Sequence, residues 1–226
     1  MTSTLSSRLA AVAALVPEGS VAADVGAGHG RLAAFLAGTG RCRRVVAIDA
    51  SPRELEACLP TPGVVVRWGD GLAELEPEDG VDTAIVAGLG GAAIAGIVAR
   101  RPAGLALRLF VLQPQTEAAL LRAGLPPAGL VLTGERLVED GGRFYPILVA
   151  VPGGAAEVPA SYPGLTPADV LEAGPYLLRD RPEELMRAWS SQRDRLAGIA
   201  ARGAAARARV EGALARAERI LAALAT

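Results

Sequence analysis

The stretch VAADVGAGHG, residues 21–30, decides how the rest of the chain is interpreted. A short apolar run is followed there by glycines at alternate positions: Gly26, Gly28 and Gly30. An apolar helical pattern then extends over Arg31–Ala37. Glycine permits a tight backbone turn and the close approach of a ligand. A dinucleotide-binding loop would need its third glycine where Arg31 stands, so the loop instead continues an Asp-x-Gly-x-Gly-x-Gly series from Asp24.

Strand-like and helix-like segments alternate along residues 1–152. Further apolar runs that predict strands are Arg44–Ile48, Val64–Arg67, Val81–Ala87 and Leu107–Leu112. Such alternation predicts a parallel sheet covered by helices on both faces. Two late runs around a glycine turn, Gly129–Val138 and Phe144–Val151, predict an antiparallel pair added to that sheet. The fold class is therefore α/β.

The composition changes after residue 152, which predicts two units, residues 1–152 and residues 153–226. Residues 152–167 are rich in proline and glycine and are typical of a linker. Two apolar seams follow, over Leu185–Ile199 and Val210–Leu224, with Gly203 between them. They predict an antiparallel helical hairpin or a single long bent helix.

Composition excludes several classes of protein. The chain has 226 residues, 51% of them hydrophobic, so it can bury a substantial core. No apolar run approaches the roughly 20 residues that cross a membrane. The chain has two cysteines in no CxxC pair and a single histidine, so neither a disulfide scaffold nor a metal site is expected. The net charge is −1, but residues 176–226 hold ten arginines against six acids, a net charge of +4.

Asp49 is placed to bind a nucleoside. It ends the second strand, 19 residues after Gly30. A carboxylate at this edge of an α/β sheet can accept hydrogen bonds from both hydroxyls of a ribose. The alternative is a helix N-cap for the segment after Ser51-Pro52.

The glycine loop resembles the first motif of class I S-adenosylmethionine methyltransferases. More specifically, the chain resembles the bacterial tRNA adenine-22 N1-methyltransferase family nearly throughout its length. The segments that carry this resemblance, in order, are Leu5–Leu9, the Asp24 loop, Gly69–Gly71, Ala87–Gly91, Leu112–Pro114, Glu139–Gly141 and Gly174–Leu178. Three positions depart from the family pattern, which usually has Asp at Gly28, an aromatic residue at Arg31 and Asn at Gln115.

The resemblance implies a Rossmann-like class I methyltransferase sheet with a C-terminal coiled-coil hairpin. It implies S-adenosylmethionine as cofactor and S-adenosylhomocysteine as product. The residues expected to bind the cofactor are Asp24, Gly26, Ala27, Gly28, Gly30, Asp49, Ala50, Asp70, Gly71, Ala87, Gly88, Leu89 and Gly90. Asp70-Gly71 would border the adenine ring, although Asp-Gly also forms ordinary turns. The glycines after Ala87 would leave room for a flat base or simply form a tight turn.

The implied reaction is methyl transfer to N1 of an adenosine at tRNA position 22, in the D-arm region. His29 and Gln113 are the candidate catalytic residues: His29 would orient the base or relay a proton, and Gln113 would form a hydrogen bond to the base edge. Alternatively, His29 packs on the cofactor or caps a helix, and Gln113 satisfies backbone groups. Candidate tRNA contacts are Arg31, Arg193, Arg195, Arg207 and Arg209. The alternative for the tail is a self-packing or dimerising hairpin.

The resemblance also implies a cytoplasmic protein that binds tRNA, without a membrane or metal partner, and a monomer is favoured. Two other functions stay open at this point. One is a methyltransferase of a small molecule or protein, which would need no basic surface. The other is a non-catalytic binding module that keeps the cofactor fold.

Overall fold

The computed structural model describes residues 4–153 and 162–225, and within them one mixed sheet of seven strands forms the core. The strand order is β3-β2-β1-β4-β5-β7-β6, and β7 runs in the direction opposite to the other six strands. The strands are β1 (Ser20–Val25), β2 (Cys42–Asp49), β3 (Val64–Trp68), β4 (Thr83–Gly90), β5 (Leu109–Thr116), β6 (Leu130–Asp140) and β7 (Arg143–Pro152).

Several of the α-helices begin where the sequence supplies a side-chain cap or a proline. Ser6 caps α1, Ser51 caps α3 ahead of Pro52, and Thr166 forms a capping box with Asp169 at α6. The helices are α1 (Ser7–Ala14), α2 (Arg31–Gly38), α3 (Pro52–Glu56), α4 (Gly91–Ala99), α5 (Ala118–Gly124), α6 (Pro167–Ala173), α7 (Pro175–Asp180), α8 (Glu183–Ala200) and α9 (Ala204–Leu224). None of the helices in the described residues is long and apolar enough to cross a membrane.

Both faces of the sheet are buried. Helices α1 and α2 pack on one face, where Val12, Leu32 and Leu36 are at most 4% exposed. Helices α4 and α5 cover the other face with Ile94, Val98, Leu121 and Leu125. The α/β Rossmann-like fold predicted from the sequence is confirmed, because parallel strands alternate with helices and the late antiparallel pair lies at the edge.

Two strands extend further than the sequence pattern predicted. Strand β4 continues to Gly90 and β5 to Thr116, because the two strands keep pairing through an irregular register at Leu89–Pro114 and Gly90–Thr116. The glycines after Ala87 therefore lie within the strand and not in a separate turn: Gly88, at the register irregularity, has a φ of +84°, and Gly90 still pairs with Thr116. Helix α4 begins at the next residue, Gly91.

Of the two structures considered for the tail, the hairpin is the one observed. Helices α8 and α9 are separated at Ala201–Gly203, where Gly203 has a φ of +133°. Their packing is antiparallel, since Trp189 near the start of α8 shares a cluster with Ile220 near the end of α9. The coiled-coil geometry of this hairpin stays a prediction.

The tail also contacts the sheet. Tyr176 of α7 is 5% exposed and belongs to the core beneath α4 and α5, and its hydroxyl donates to the Leu132 carbonyl at 2.9 Å. The predicted linker, residues 152–167, lies partly outside the described residues, and the boundary at residue 152 stays a prediction.

Candidate functional site

The glycine loop between β1 and α2 turns tightly at the carboxyl edge of the sheet. Gly26, Gly28 and Gly30 have φ values of +71°, +53° and +68°, which other residues rarely adopt. A Cβ on Gly30 would also lie 2.8 Å from the Sγ atom of Cys58. Glycine is therefore required at this position both for backbone conformation and for space.

Asp49 is held rigidly next to this loop. One carboxylate oxygen accepts a hydrogen bond from the Gly28 N–H and the other accepts one from the Ser51 N–H, both at 2.9 Å. Each oxygen keeps a second lone pair for another donor. The N-cap of α3 is Ser51, whose hydroxyl accepts from the Glu54 N–H, so the alternative role considered for Asp49 is wrong.

A cavity of about 420 Å³ opens where β1 and β4 end. Helices α1 and α2 close its sides. Twelve residues form its wall: Arg8, Leu9, Asp24, Gly26, Ala27, His29, Arg31, Leu32, Ala87, Gly88, Leu89 and Gln115. This crevice lies at the edge of the sheet where α/β proteins bind their ligands.

Asp24 is a buried acid in the wall of the cavity. It is 3% exposed, and its Oδ2 atom accepts a hydrogen bond from the Ala33 N–H at 3.2 Å. Burial raises the pKa of its carboxyl from 3.8 to about 7, the Ala33 hydrogen bond opposes this rise, and the charge of Asp49 adds to it. A cationic ligand group beside Asp24 would therefore be stabilised.

His29 and Arg31 both lie in the cavity wall and are exposed. The Nδ1 atom of His29 is 2.9 Å from the Glu54 carboxylate, which fixes one side of the ring. Glu54 was not singled out from the sequence, because its approach depends on the fold of α3.

Gln113 does not line the cavity, contrary to the role expected for it. It is 0% exposed, its amide nitrogen donates to the Pro114 carbonyl at 2.7 Å, and its oxygen accepts from Nη1 of Arg8. The alternative role for Gln113, satisfying backbone groups, agrees with these contacts. Arg8 and Gln115, to which sequence reasoning gave no role, face the cavity instead. The only signal for Arg8 was its place within the Leu5–Leu9 motif.

The predicted cofactor residues that do not line the cavity lie near Asp49 and the end of β3, apart from Gly90 in β4. Asp70 is exposed and its carboxylate lies 3.2 Å from Arg100. Gly71 is buried at the start of a short 3-10 helix. The Ala50 carbonyl accepts a hydrogen bond from the indole of Trp68, a 67% exposed side chain that ends β3. Gly90 ends β4 next to Thr116.

The predicted tRNA-binding arginines of the tail are exposed or half-buried on α8 and α9. Arg193 pairs with its neighbour Asp194 at 2.7 Å. Among the described residues, Arg195, Arg207 and Arg209 form no ion pair with an acid. Within residues 4–153 and 162–225, no cluster of three histidine, cysteine or acidic residues could hold a metal ion.

Comparison with known proteins assigns this architecture to a family. A family model described as a methyltransferase domain matches residues 5–148, well over half of the chain. The chain belongs to the methyltransferase domain family. The methyltransferase fold and activity class predicted from the glycine loop are thereby confirmed.

The more specific resemblance is confirmed by a curated relative of this methyltransferase. The tRNA (adenine(22)-N(1))-methyltransferase of Bacillus subtilis is 29% identical over 196 residues, which is 83% of this chain and 81% of the relative. A Streptococcus agalactiae protein of the NADB-Rossmann superfamily is 27% identical with a TM-score of 0.83, over 98% of this chain and 99% of that one. A Streptococcus pneumoniae protein solved in complex with S-adenosyl-L-methionine is 24% identical with a TM-score of 0.81, over 96% and 100% of the two chains.

Proposed function

We propose that this methyltransferase transfers a methyl group from S-adenosylmethionine to N1 of adenosine 22 in tRNA. The observation that carries the proposal is Asp49, whose carboxylate is fixed by two backbone N–H groups beside the glycine loop that borders the cavity. The Bacillus subtilis relative, which matches over most of both chains, supports the choice of substrate. Both the tRNA partner and the cytoplasmic location expected with it are part of this proposal.

The site residues fit the proposed cofactor. The free lone pairs of Asp49 suit the two ribose hydroxyls. The cavity beyond the loop adds about 420 Å³ of space between charged and apolar walls. When bound, S-adenosylmethionine supplies a methyl group that its sulfonium already activates.

The protein's task in this reaction is mainly positioning. The N1 lone pair of adenine is available on the neutral base, so its attack needs no general base. Alignment of reacting groups can contribute about 7–11 kcal/mol to lowering a barrier. We assign base positioning to Gln115, whose amide faces the cavity beside Gly88, and to His29, which Glu54 orients. The base must leave its stack to reach them, which costs a few kcal/mol that contacts to the RNA must repay.

Methyl incorporation into unmodified tRNA tests the proposal. We expect labelled methyl groups in tRNA with adenosine at position 22, located as N1-methyladenosine by nucleoside analysis, and none in tRNA with guanosine there. Incorporation that ignores this replacement would exclude position 22 as the target. Failure to modify any tRNA despite measurable cofactor binding would favour a small-molecule or protein substrate, or a binding module.

Replacing Asp49 tests the cofactor site separately. We expect Asp49→Ala to weaken binding of S-adenosylhomocysteine at least about tenfold in calorimetry, because it removes acceptors of charge-assisted hydrogen bonds. Glu56→Gln on α3 removes the same charge from an exposed side chain nearby and should leave the affinity unchanged. Equal affinities of Asp49→Ala and the wild type would refute the ribose assignment.

A further inference from the structure

The outer end of the β6–β7 hairpin lies between helix α1 and helix α8. Side chains on a strand point alternately to its two faces. Leu137 packs against the apolar cluster that contains Trp189 of α8, whereas the next residue, Val138, packs against the cluster that contains Val12 of α1. Residues 137–145, which we call the hairpin tip, therefore contact the tail with one face and α1 with the other.

The face of the hairpin tip that is directed at the tail holds one side chain of α8. The Glu139 carboxylate is 2.7 Å from Nη1 of Arg187, and the Arg187 guanidinium lies 5.5 Å from the centre of the Phe144 ring. Phe144 is paired with Glu139 in the register of β6 and β7, so both side chains project to the same face. Arg195, a candidate tRNA contact, lies eight residues further along the same helix, about 12 Å away. The hairpin tip is thus attached to the helix that carries Arg195.

The opposite face of the hairpin tip holds Arg8, which is part of the cavity wall. The Asp140 carboxylate accepts a hydrogen bond from the Arg8 N–H at 3.4 Å, and the Arg8 guanidinium lies 5.7 Å from the centre of the Tyr145 ring. Tyr145 is paired with Val138 and so belongs to the face that packs on α1. The cavity wall and α8 are therefore attached to opposite faces of the same pair of strands.

The ion pair between Arg187 and Glu139 determines the direction of α8 more than the stability of the fold. Its side chains are 55% and 41% exposed, and ion pairs in such positions add little to the free energy of unfolding. Apolar contacts such as that of Leu137 have no preferred direction, whereas a hydrogen-bonded ion pair does. Helix α8 continues to Ala200, so a rotation of about 10° at Arg187 would displace its end by about 3 Å.

We infer that Glu139 and Arg187 are positioning residues for methyl transfer, because their ion pair orients α8 and its proposed tRNA-binding arginines relative to the cavity. This inference rests on the proposed function. Misplacing the reacting groups by about 1 Å can lower a rate about a hundredfold, so the reaction is sensitive to such an orientation. The competing role for Arg187 is a contact to a tRNA phosphate, which a guanidinium also binds well. In that role the Glu139 carboxylate would compete with the phosphate.

Steady-state methylation of unmodified tRNA tests the positioning role. We expect Glu139→Gln and Arg187→Gln each to lower kcat about tenfold or more, with little change in KM for tRNA, since the tail arginines proposed to bind it are retained. The double variant should lose no more than either single variant, because both substitutions remove the same interaction. The affinity for S-adenosylhomocysteine and the urea midpoint of unfolding should stay at their wild-type values, since neither residue lines the cavity and the ion pair is exposed.

Two further variants separate the ion pair from the charges of its members. The Glu184 carboxylate lies 3.8 Å from Nη2 of Arg187, but it belongs to the same helix. Glu184→Gln therefore removes a carboxylate beside Arg187 without removing a contact between α8 and the hairpin tip, and it should keep the wild-type kcat. Arg187→Lys keeps a positive charge opposite Glu139 and should recover most of the kcat that Arg187→Gln loses.

Other outcomes would overturn the inference. If Glu139→Gln keeps the wild-type kcat while Arg187→Gln weakens tRNA binding and reduces its salt dependence, Arg187 contacts a phosphate. If kcat falls only together with the urea midpoint, the ion pair stabilises the fold and does not position the RNA. If all variants methylate tRNA as the wild type does, the inference fails and the proposed function stands. If the wild type methylates no tRNA, the proposed function fails and the inference fails with it.

Discussion

At the scale of single residues, Asp24 shows how a methyltransferase site is built at a cost in stability. Its carboxyl is buried without a counter-ion, and the pKa rises to about 7. The unfolded chain releases this proton near pH 4, whereas the folded chain keeps it until about pH 7. Between these limits the folded state binds more protons, so this group's contribution to stability is lost as the pH rises.

We therefore expect Asp24→Asn to gain stability relative to the wild type between pH 4 and pH 8. The gain has an upper bound of about 4 kcal/mol, and the asparagine oxygen can still accept from the Ala33 N–H. Urea unfolding at both pH values measures it. Asp70→Asn, which alters a 73% exposed carboxylate, is the control. If the difference in free energy of unfolding between Asp24→Asn and the wild type stays constant with pH, this account is wrong.

Sequence reasoning located the acids of the site better than its other polar groups. Asp24 is the penultimate residue of β1 and Asp49 is the last residue of β2, and the carboxyl ends of parallel strands can be predicted from apolar runs. Gln113 and Arg8 could not be assigned in this way. Which of them faces the cavity depends on a contact between residues 105 positions apart. The directions of the side chains near the end of β5 also depend on its irregular pairing with β4. The glycines of β4 and Pro114 of β5 do not fit an ordinary strand pattern, so this pairing could not be predicted from the sequence.

At the scale of elements, helix α4 begins against the backbone of the β5–α5 turn. A Cβ on Gly91 would lie 2.1 Å from the Glu117 carbonyl oxygen, and Glu117 itself has a φ of +57°. No side-chain rotation can relieve this clash, because the obstructing atoms belong to the backbone. The start of α4 and the turn between β5 and α5 are thus packed on each other.

Replacing each of two glycines in α4 by alanine should change the stability of the fold in opposite directions. We expect Gly91→Ala to destabilise the fold by at least about 2 kcal/mol, because backbone must move. Gly96→Ala should stabilise it by about 0.5–1 kcal/mol through helix propensity, since its Cβ would meet only the end of the Arg100 side chain, at 3.2 Å. Thermal and urea unfolding of both variants would measure the contrast. Equal changes in stability for the two variants would mean that the turn between β5 and α5 accommodates a side chain at residue 91.

The helical hairpin offers a second prediction at this scale. Arg207 and Arg209 are exposed near the start of α9. We expect the double substitution to glutamine to weaken tRNA binding and to reduce the dependence of log affinity on log salt by up to about 2. Arg108→Gln is the matched control, because Arg108 precedes β5 at the opposite edge of the sheet from the cavity. An unchanged salt dependence in the double variant would remove these arginines from the RNA interface.

At the scale of the whole molecule, a buried ion pair joins the tail to the sheet. The side chains of Arg122 and Glu135 are 2% and 0% exposed, 2.7 Å apart. Glu135 also accepts from the Tyr176 N–H at 3.0 Å, and Arg122 donates to the Leu171 carbonyl at 2.6 Å. Gly174 lies against both side chains, where a Cβ would be 2.7 Å from each. The Gly174–Leu178 motif therefore has a packing role, which a search for catalytic groups would miss.

We expect Glu135→Gln to lower the free energy of unfolding by about 3–5 kcal/mol, because the Arg122 charge would stay buried without a partner. Asp180→Asn breaks an ion pair whose side chains are each 49% exposed and should cost less than about 1 kcal/mol. Urea unfolding followed by tryptophan fluorescence reports on both, since Trp189 lies in the tail. A small loss for Glu135→Gln would mean that water solvates the guanidinium in the variant.

The division into sheet and tail predicted from composition is thus only part of the organisation. The helices of the tail could be predicted because its two apolar seams have helical spacing, although the seams allowed a single long bent helix as well as the hairpin. Its attachment to the sheet could not, since Arg122 and Glu135 lie on α5 and β6 and the peptide groups they bind lie 41–50 positions further along the chain. Charged residues in a sequence are normally expected at the surface.

The same arrangement has a consequence for synthesis on the ribosome. While residues 171–176 are still in the exit tunnel, the nascent sheet already contains Arg122 and Glu135 but lacks three of the groups that bind them: two carbonyls and one N–H. We therefore expect the emerging sheet to stay incompletely packed around Arg122 and Glu135 until the final quarter of translation. A chain stalled with residues 171–176 inside the tunnel and all seven strands outside it should consequently be digested by protease far faster than the released product.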